Sequence, residues 1–98
     1  MRYGTLHGSF QLTDLPGCSQ VCVSHGAFVR ERGKGHGSID HKQHLKLAKQ
    51  LGYNYILCTV EVSNDVQRLI LRKNRWRFIT EFYSNKTQHY VELWGRIV

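Results

Sequence analysis

The sequence lacks the features that mark several classes of protein. Its 98 residues contain one proline, Pro16, and only 7 acidic residues against 14 basic ones. No apolar run approaches the roughly 20 residues that a membrane-crossing helix needs. The first four residues lack the apolar stretch of a signal peptide, and we find no repeat or low-complexity tract. We therefore expect a soluble cytoplasmic protein with no membrane partner.

Cysteines are too few to indicate a disulfide framework. The chain has three, an odd number: Cys18 and Cys22 stand four apart, and Cys58 is distant from both. No second closely spaced pair is present, as a four-cysteine zinc site would require. We expect reduced thiols. A zinc site formed by Cys18, Cys22 and histidines is the alternative.

The composition is that of one small folded domain with a basic surface. Hydrophobic residues make up 41% and aromatic residues 11%, which favours a globule over disorder. We expect a single domain over residues 1–98, because no linker interrupts the chain. The net charge of +7 favours anionic partners. Nucleic acid is one candidate partner, and a cofactor that carries several phosphates is another.

Hydrophobic periodicity predicts an α/β domain with a mixed sheet. An N-terminal strand or hairpin over 1–19 precedes a strand, glycine loop and helix over 20–53, and a strand, helix and closing hairpin over 54–98. The finer boundaries are an extended segment 3–12, a turn 14–17, a strand 20–29, a helix 38–51 that stops at Gly52, a strand 53–62, a helix of about 65–74, and strands 76–83 and 88–97. A strand–helix–strand crossover implies a parallel pair in the middle.

The most informative segment is the glycine-rich loop of residues 32–37. Gly33, Gly35 and Gly37 let the backbone approach a ligand closely. A helix N-terminus after the loop offers free N–H groups to a phosphate, and Arg32 and Lys34 add positive charge. The spacing fits neither the P-loop nor the dinucleotide-binding pattern, so a plain basic turn is the alternative.

Several ordered motifs resemble the GCN5-related N-acetyltransferases. Residues 32–37, RGKGHG, are similar to the family's Arg/Gln-x-x-Gly-x-Gly/Ala signature. Residues 48–53 (AKQLGY), 60–64 (VEVSN) and 70–76 (ILRKNRW) look like later family motifs in the same order, and the aromatic hairpin after Trp76 looks like the closing strands. The resemblance covers about residues 20–98. It implies that family's fold, with two helices, a splayed parallel strand pair and a C-terminal hairpin.

The resemblance also implies a reaction: transfer of an acetyl group from acetyl-CoA, the co-substrate, to an amine acceptor, without a metal. Main-chain N–H groups would hold the diphosphate, and the pantetheine arm would lie between the splayed strands. The cofactor-binding residues carried over are Phe28, Val29, Arg30, Arg32, Gly33, Lys34, Gly35, His36, Gly37, Ser38, Asn64 and Lys73. Glu61 is the candidate general base, and His25 is a weaker one.

Three departures from the family's pattern bear on activity. The part before residue 20 is too short for the family's first strand and two helices, so a partner is expected to complete the acceptor pocket. Leu71 stands where many members have a proton-donating tyrosine, and leucine cannot donate a proton. Tyr83, Tyr90 and Cys58 are substitutes without positional support. Arg75 replaces a glycine, and we expect it to alter the turn before Trp76.

A fourth departure is a polar cluster, Asp40, His41 and His44, at positions that are usually apolar in the family. We expect a solvated helix end, in keeping with the basic face of Lys42, Lys46 and Lys49. A metal site is the alternative, because histidines three apart on a helix can share one ion.

Two other functions stay open. One is an acyl-CoA-binding or interaction protein without turnover. The other is a basic nucleic-acid-binding protein in which Tyr83, Tyr90 and Trp94 stack on bases. We also expect a homodimer, because a short sheet with aromatic edges favours self-association.

Overall fold

The computed structural model describes residues 2–4, 8–29 and 36–98, and it describes the backbone alone at residues 26–29 and 36–38. These residues form eight elements. In chain order they are β1 (Arg2–Gly4), β2 (Gly8–Leu15), β3 (Cys18–Val29), α1 (His36–Gln50), β4 (Tyr55–Glu61), α2 (Asp65–Lys73), β5 (Arg77–Ser84) and β6 (His89–Ile97). Neither described helix is long and apolar enough to cross a bilayer.

The N-terminal half departs from the finer predicted boundaries at several points, since β2 continues to Leu15 and β3 begins at Cys18. Of the strand or hairpin predicted for residues 1–19, the structure has two strands, β1 and β2, which pair antiparallel. Helix α1 begins at His36, two residues before the predicted start at Ser38. His36 and Gly37 therefore belong to the first turn of a helix and not to the loop. The rest of that loop, residues 32–35, lies outside the described residues.

The strands form one mixed sheet in the order β1-β2-β3-β4-β6-β5. Only the central neighbours β3 and β4 run parallel, joined through α1, while β2–β3, β4–β6 and β5–β6 are antiparallel. The crossover accounts for the parallel pair, since parallel strands need a long connection. The predicted α/β mixed sheet is confirmed.

One face of the sheet carries the core. Alternate side chains of a strand point to the same face, and Ile56 and Val60 of β4 meet Ala48 of α1 and Leu71 of α2 there. The buried cluster consists of Phe10, Leu12, Cys22, Ala48, Ile56, Val60, Leu71, Trp76 and Trp94. Both helices therefore pack on the same side of the sheet and frame the gap described below.

Both helices end in left-handed turns of the same design. After α1, Gly52 has φ 91°, the Tyr53 N–H donates to the Ala48 carbonyl at 3.1 Å and the Gly52 N–H to Lys49 at 3.1 Å. This pair of hydrogen bonds defines the Schellman motif. After α2 the same pattern places Arg75 at φ 65°. Arg75 thus occupies the left-handed position that favours glycine, and its effect on the turn stays a prediction.

Candidate functional site

The two central strands separate after a short contact. β3 and β4 pair at three positions: Val21 with Tyr55, Cys22 with Ile56, and Val23 with Leu57. Both then continue, β3 to Val29 and β4 to Glu61. Between residues 24–29 and 58–61, whose backbone is described, the two strands do not pair. The predicted splayed pair is therefore present as a gap that opens toward the carboxyl ends of both strands.

Each strand beside the gap keeps its outer neighbour. β3 stays paired with β2 as far as Val29, and β4 stays paired with β6 as far as Glu61. The inner edge of each strand therefore faces the gap with its N–H and C=O groups. Such edges bind an extended chain by main-chain hydrogen bonds, as an added strand does.

A cavity of about 200 Å³ occupies this gap, which we call the cleft. Its walls come from the inner edges of β3 and β4, from α1, and from the start of α2. Polar groups predominate among them. The lining residues are Ser24, His25, His41, His44, Cys58, Thr59, Val60, Asn64, Gln67 and Trp76.

Asn64 holds the N-terminus of α2 at the cleft wall. Its side-chain oxygen accepts a hydrogen bond from the Gln67 backbone N–H at 3.2 Å, which is the contact of an N-cap. The helix predicted over about 65–74 therefore begins where expected, at Asp65. The role of Asn64 in binding a cofactor stays a prediction.

His41 has a defined protonation state because of Trp76. The indole Nε1–H donates to His41 Nε2 at 2.7 Å. An indole nitrogen can only donate, so Nε2 carries the lone pair and the neutral imidazole carries its proton on Nδ1. Burial, followed by the charges of His44 and Arg96, lowers the pKa of His41 to about 4. The side chain is 4% exposed.

His44 is held against β2 by stacking. Its ring lies 3.8 Å from that of Phe10, centroid to centroid, at an interplanar angle of 25°. Burial lowers the pKa of His44 to about 4, although the charge of Asp40 acts in the opposite direction. The two buried histidines of the cleft, His41 and His44, are therefore neutral at physiological pH.

The expectation of a solvated helix end is wrong for the polar cluster. Asp40, His41 and His44 are 2%, 4% and 8% exposed, because this face of α1 packs against the sheet. The predicted basic face, Lys42, Lys46 and Lys49, is exposed. Among residues 2–4, 8–29 and 36–98, no three or more His, Cys, Asp or Glu side chains are placed so that they could hold a metal ion together.

The candidate acids and bases lie in different surroundings. Cys58 lines the cleft, and burial raises its pKa to about 12, so it remains a thiol. Glu61 is exposed at the end of β4. Leu71 is fully buried in the core. Tyr83 and Tyr90 are exposed on the β5–β6 hairpin and meet edge to face at 5.3 Å.

The carried-over cofactor residues are distributed unevenly over the described chain. Phe28 and Val29 end β3 at the mouth of the cleft, and His36, Gly37 and Ser38 form the first turn of α1. Lys73 is exposed at the last residue of α2. Arg30, Arg32, Gly33, Lys34 and Gly35 lie outside the described residues. Sequence reasoning missed the contact of Trp76 with His41, because a separation of 35 residues leaves no local signal.

Comparison with solved structures finds the same fold in acetyltransferases. A Bacillus subtilis acetyltransferase in complex with CoA matches with TM-score 0.77 and 18% identity, over 96% of this chain and 70% of its own. A GCN5-related N-acetyltransferase from Kribbella flavida matches with TM-score 0.79 and 19% identity, over 94% and 60%. YncA from Salmonella typhimurium, with its cofactor acetyl-CoA, matches with TM-score 0.80 and 13% identity, over 96% and 59%.

These likenesses establish the fold of the chain, which is that of the GCN5-related N-acetyltransferases. The chain spans 59 to 70% of the length of the three structures. No protein-family model and no curated protein sequence matches it.

Proposed function

We propose that the chain binds acetyl-CoA in the cleft and transfers its acetyl group to an amine. The observation that carries this proposal is the parting of β3 and β4 after three paired positions. A thioester substrate with an amide-containing arm fits such a gap, because each inner strand edge offers main-chain partners to its amides.

The beginning of α1 suits the phosphate end of the substrate. The first N–H groups of a helix have no partner inside the helix and carry partial positive charge. His36, Gly37 and Ser38 supply these groups in α1. The preceding basic segment, with Arg32 and Lys34, is proposed to add charge there. The diphosphate would then lie at the mouth of the cleft and the thioester at its closed end.

The proposed chemistry is direct transfer. The amine nitrogen attacks the thioester carbonyl carbon, an amide C–N bond forms, and the C–S bond breaks to leave the CoA thiolate. A main-chain N–H on the inner edge of β3 would stabilise negative charge on the carbonyl oxygen. Glu61 is proposed to accept the amine proton through water, because it ends β4 at the mouth of the cleft, some residues beyond the closed end where the thioester would lie.

Leu71 supports a second candidate, which is acyl-CoA binding without turnover. Its side chain is fully buried in the core, so the position offers no proton to the departing thiolate. Cys58, a cleft thiol whose pKa is raised to about 12, is a weak acid for this purpose. The nucleic-acid alternative loses one stacking group, because Trp94 is 4% exposed.

Calorimetric titration with acetyl-CoA tests binding. We expect micromolar affinity, and we expect Gly35→Val and Gly37→Val to abolish it by blocking close approach to the backbone. Gly4→Val is the matched control, since a Cβ at Gly4 meets nothing within 4 Å. No binding at millimolar acetyl-CoA would refute both candidates.

An acetylation assay then separates the two candidates. The full chain is incubated with acetyl-CoA and a panel of amines, and release of free CoA thiol is measured. Turnover that falls with Glu61→Gln supports transfer with Glu61 as the base, and Glu81→Gln, an exposed glutamate of β5, serves as its control. Tight binding without thiol release across the panel supports the binding protein.

Assembly and location stay proposals. We propose a cytoplasmic homodimer, on the grounds of the basic composition and the aromatic residues exposed along the edge strand β5, Phe78, Phe82 and Tyr83. Light scattering at micromolar concentration tests the dimer. A mass of 11.4 kDa, that of one chain, would contradict it.

A further inference from the structure

The cleft contains a buried hydrogen-bond donor that needs an acceptor. His41 Nε2 accepts from Trp76, so its proton sits on Nδ1. The hydrogen bonds of the described residues include no acceptor for that Nδ1–H. The imidazole is 4% exposed and lines the cavity. A buried donor without a partner is unfavourable, so an occupant of the cleft that supplies an oxygen is favoured.

The donor lies toward the closed end of the cleft, because His41 is hydrogen-bonded to Trp76, and the next residue, Arg77, pairs with Gly95, which pairs with Leu57. Ser24 and Cys58 are the first residues after the last β3–β4 pair, Val23 with Leu57, and both line the same cavity as His41. If the diphosphate binds at the mouth, as proposed above, the group that reaches this end is the acyl group. The inference therefore rests on the proposed function.

We infer that, besides acetyl-CoA, the cleft accepts longer acyl chains and binds most tightly those that carry an oxygen beyond the thioester, a hydroxyl or a carboxylate, to accept a hydrogen bond from His41 Nδ1–H. Trp76 fixes which ring nitrogen of His41 is the donor. By occupying Nε2 it prevents the ring from exchanging its donor and acceptor nitrogens. His41 is thus a specificity-determining residue, and Trp76 is its positioning residue.

The neighbouring groups favour the same choice. Ser24, His44 and Cys58 place a hydroxyl, a second imidazole and a thiol around the same space. An apolar acyl chain would displace water from all of these groups and replace none of the hydrogen bonds. At about 200 Å³ the cavity holds roughly the volume of seven water molecules at about 30 Å³ each. The acyl chain can therefore extend beyond a methyl group.

Titration of the wild-type chain with matched thioesters tests the inference without a variant. Butyryl-CoA and 3-hydroxybutyryl-CoA differ by one oxygen, and succinyl-CoA carries a carboxylate instead. We expect at least one oxygen-bearing thioester to bind about tenfold more tightly than butyryl-CoA. Equal or tighter binding of butyryl-CoA than of both would overturn the inference. If 3-hydroxybutyryl-CoA binds more tightly than succinyl-CoA, the preferred oxygen is that of a hydroxyl. The reverse order indicates a carboxylate.

Free CoA separates this failure from failure of the proposed function. If CoA binds while the acyl preference is absent, only the inference is wrong. If neither CoA nor any of the thioesters binds, the proposed function is wrong and the inference falls with it.

Variants at His41 then identify the donor. His41→Gln keeps an oxygen for Trp76 and an N–H for the acyl group, so it should retain most of the preference. His41→Leu should reduce the tenfold ratio to about one. His89→Leu, at an exposed histidine of β6, is the control that should leave the ratio unchanged. Loss of the preference in His41→Gln together with its retention in His41→Leu would refute the assignment.

Discussion

Acidification is expected to unfold this domain through the two buried histidines of the cleft. His41 and His44 have ordinary pKa values of 6.5 that the fold lowers to about 4. Each binds a proton at about pH 5 in the unfolded chain but not in the folded one. The linkage relation then gives a loss of about 2 kcal/mol per histidine between about pH 7.5 and 5, or about 4 kcal/mol together.

The sign follows from the direction of the shift. Above about pH 7.5 the histidines are neutral in both states, so their full contribution to stability is present. As the pH falls from 6.5 toward 4, the unfolded state gains protons first and stability is lost across that window. The charge of Asp40 reduces the effect at His44, and the charge of Arg96 increases it at His41.

Urea titration followed by tryptophan fluorescence measures the effect, since Trp76 and Trp94 are 6% and 4% exposed. A loss of about 4 kcal/mol is large beside a total of about 5–15 kcal/mol. His41→Gln should remove about half of the pH dependence, and His89→Gln should leave it intact. A free energy of unfolding that is constant within about 0.5 kcal/mol over this range would refute buried neutral histidines.

Three further changes test the packing around the sheet by the same urea titration. Arg75→Gly should stabilise the fold by about 1 kcal/mol, because glycine adopts φ 65° without strain. Arg68→Met should lower the free energy of unfolding by about 3 kcal/mol, because Glu92, only 5% exposed, loses the Arg68 Nε–H donor at 3.1 Å. Adding Glu92→Gln, which removes the buried charge, should recover part of this loss. Gly95→Ala should cost about 1–2 kcal/mol, since its Cβ would come within 2.5 Å of the Tyr55 ring, and less in a Tyr55→Ala background.

Each change has a matched control. Arg75→Ala should give no gain, since alanine is also strained at a positive φ. Asp65→Ala removes the second ion-pair partner of Arg68. The Asp65 side chain is 88% exposed, so this change should alter the free energy of unfolding by less than about 0.5 kcal/mol. Gly4→Ala places a Cβ in open space. If a control variant changes the free energy of unfolding as much as its partner variant does, the stated cause is contradicted.

The architecture was predictable where local chemistry decides it. Gly52 marks the end of α1 and Asn64 the start of α2 because capping depends on neighbouring residues alone. The alternation of apolar residues located β4 and β6. The choice between a single strand and a hairpin in residues 1–19 stayed open, since short strands are specified by the strand they pair with and less by their own pattern.

The character of the cleft was much harder to predict. His41 and His44 read as solvated because polar residues at a helix start usually are, and their burial depends on Trp76 and Phe10, distant in sequence. A tertiary hydrogen bond and a stacked ring leave no periodic signal. The gap itself was expected from family resemblance, because splaying of two strands has no signature in either strand.

The three-residue contact between β3 and β4 divides the sheet into two parts that are each continuous in sequence. β1, β2 and β3 come from residues 2–29, and β4, β5 and β6 from residues 55–97. Their seam is three paired positions, extended by the Asn54 N–H bond to the Gln20 carbonyl at 2.8 Å. A ligand that hydrogen-bonds to the inner edges of both strands would join the two parts of the sheet more firmly. Its binding should therefore slow amide exchange along Val21–Val23 and Tyr55–Leu57, although these residues lie beyond the cleft.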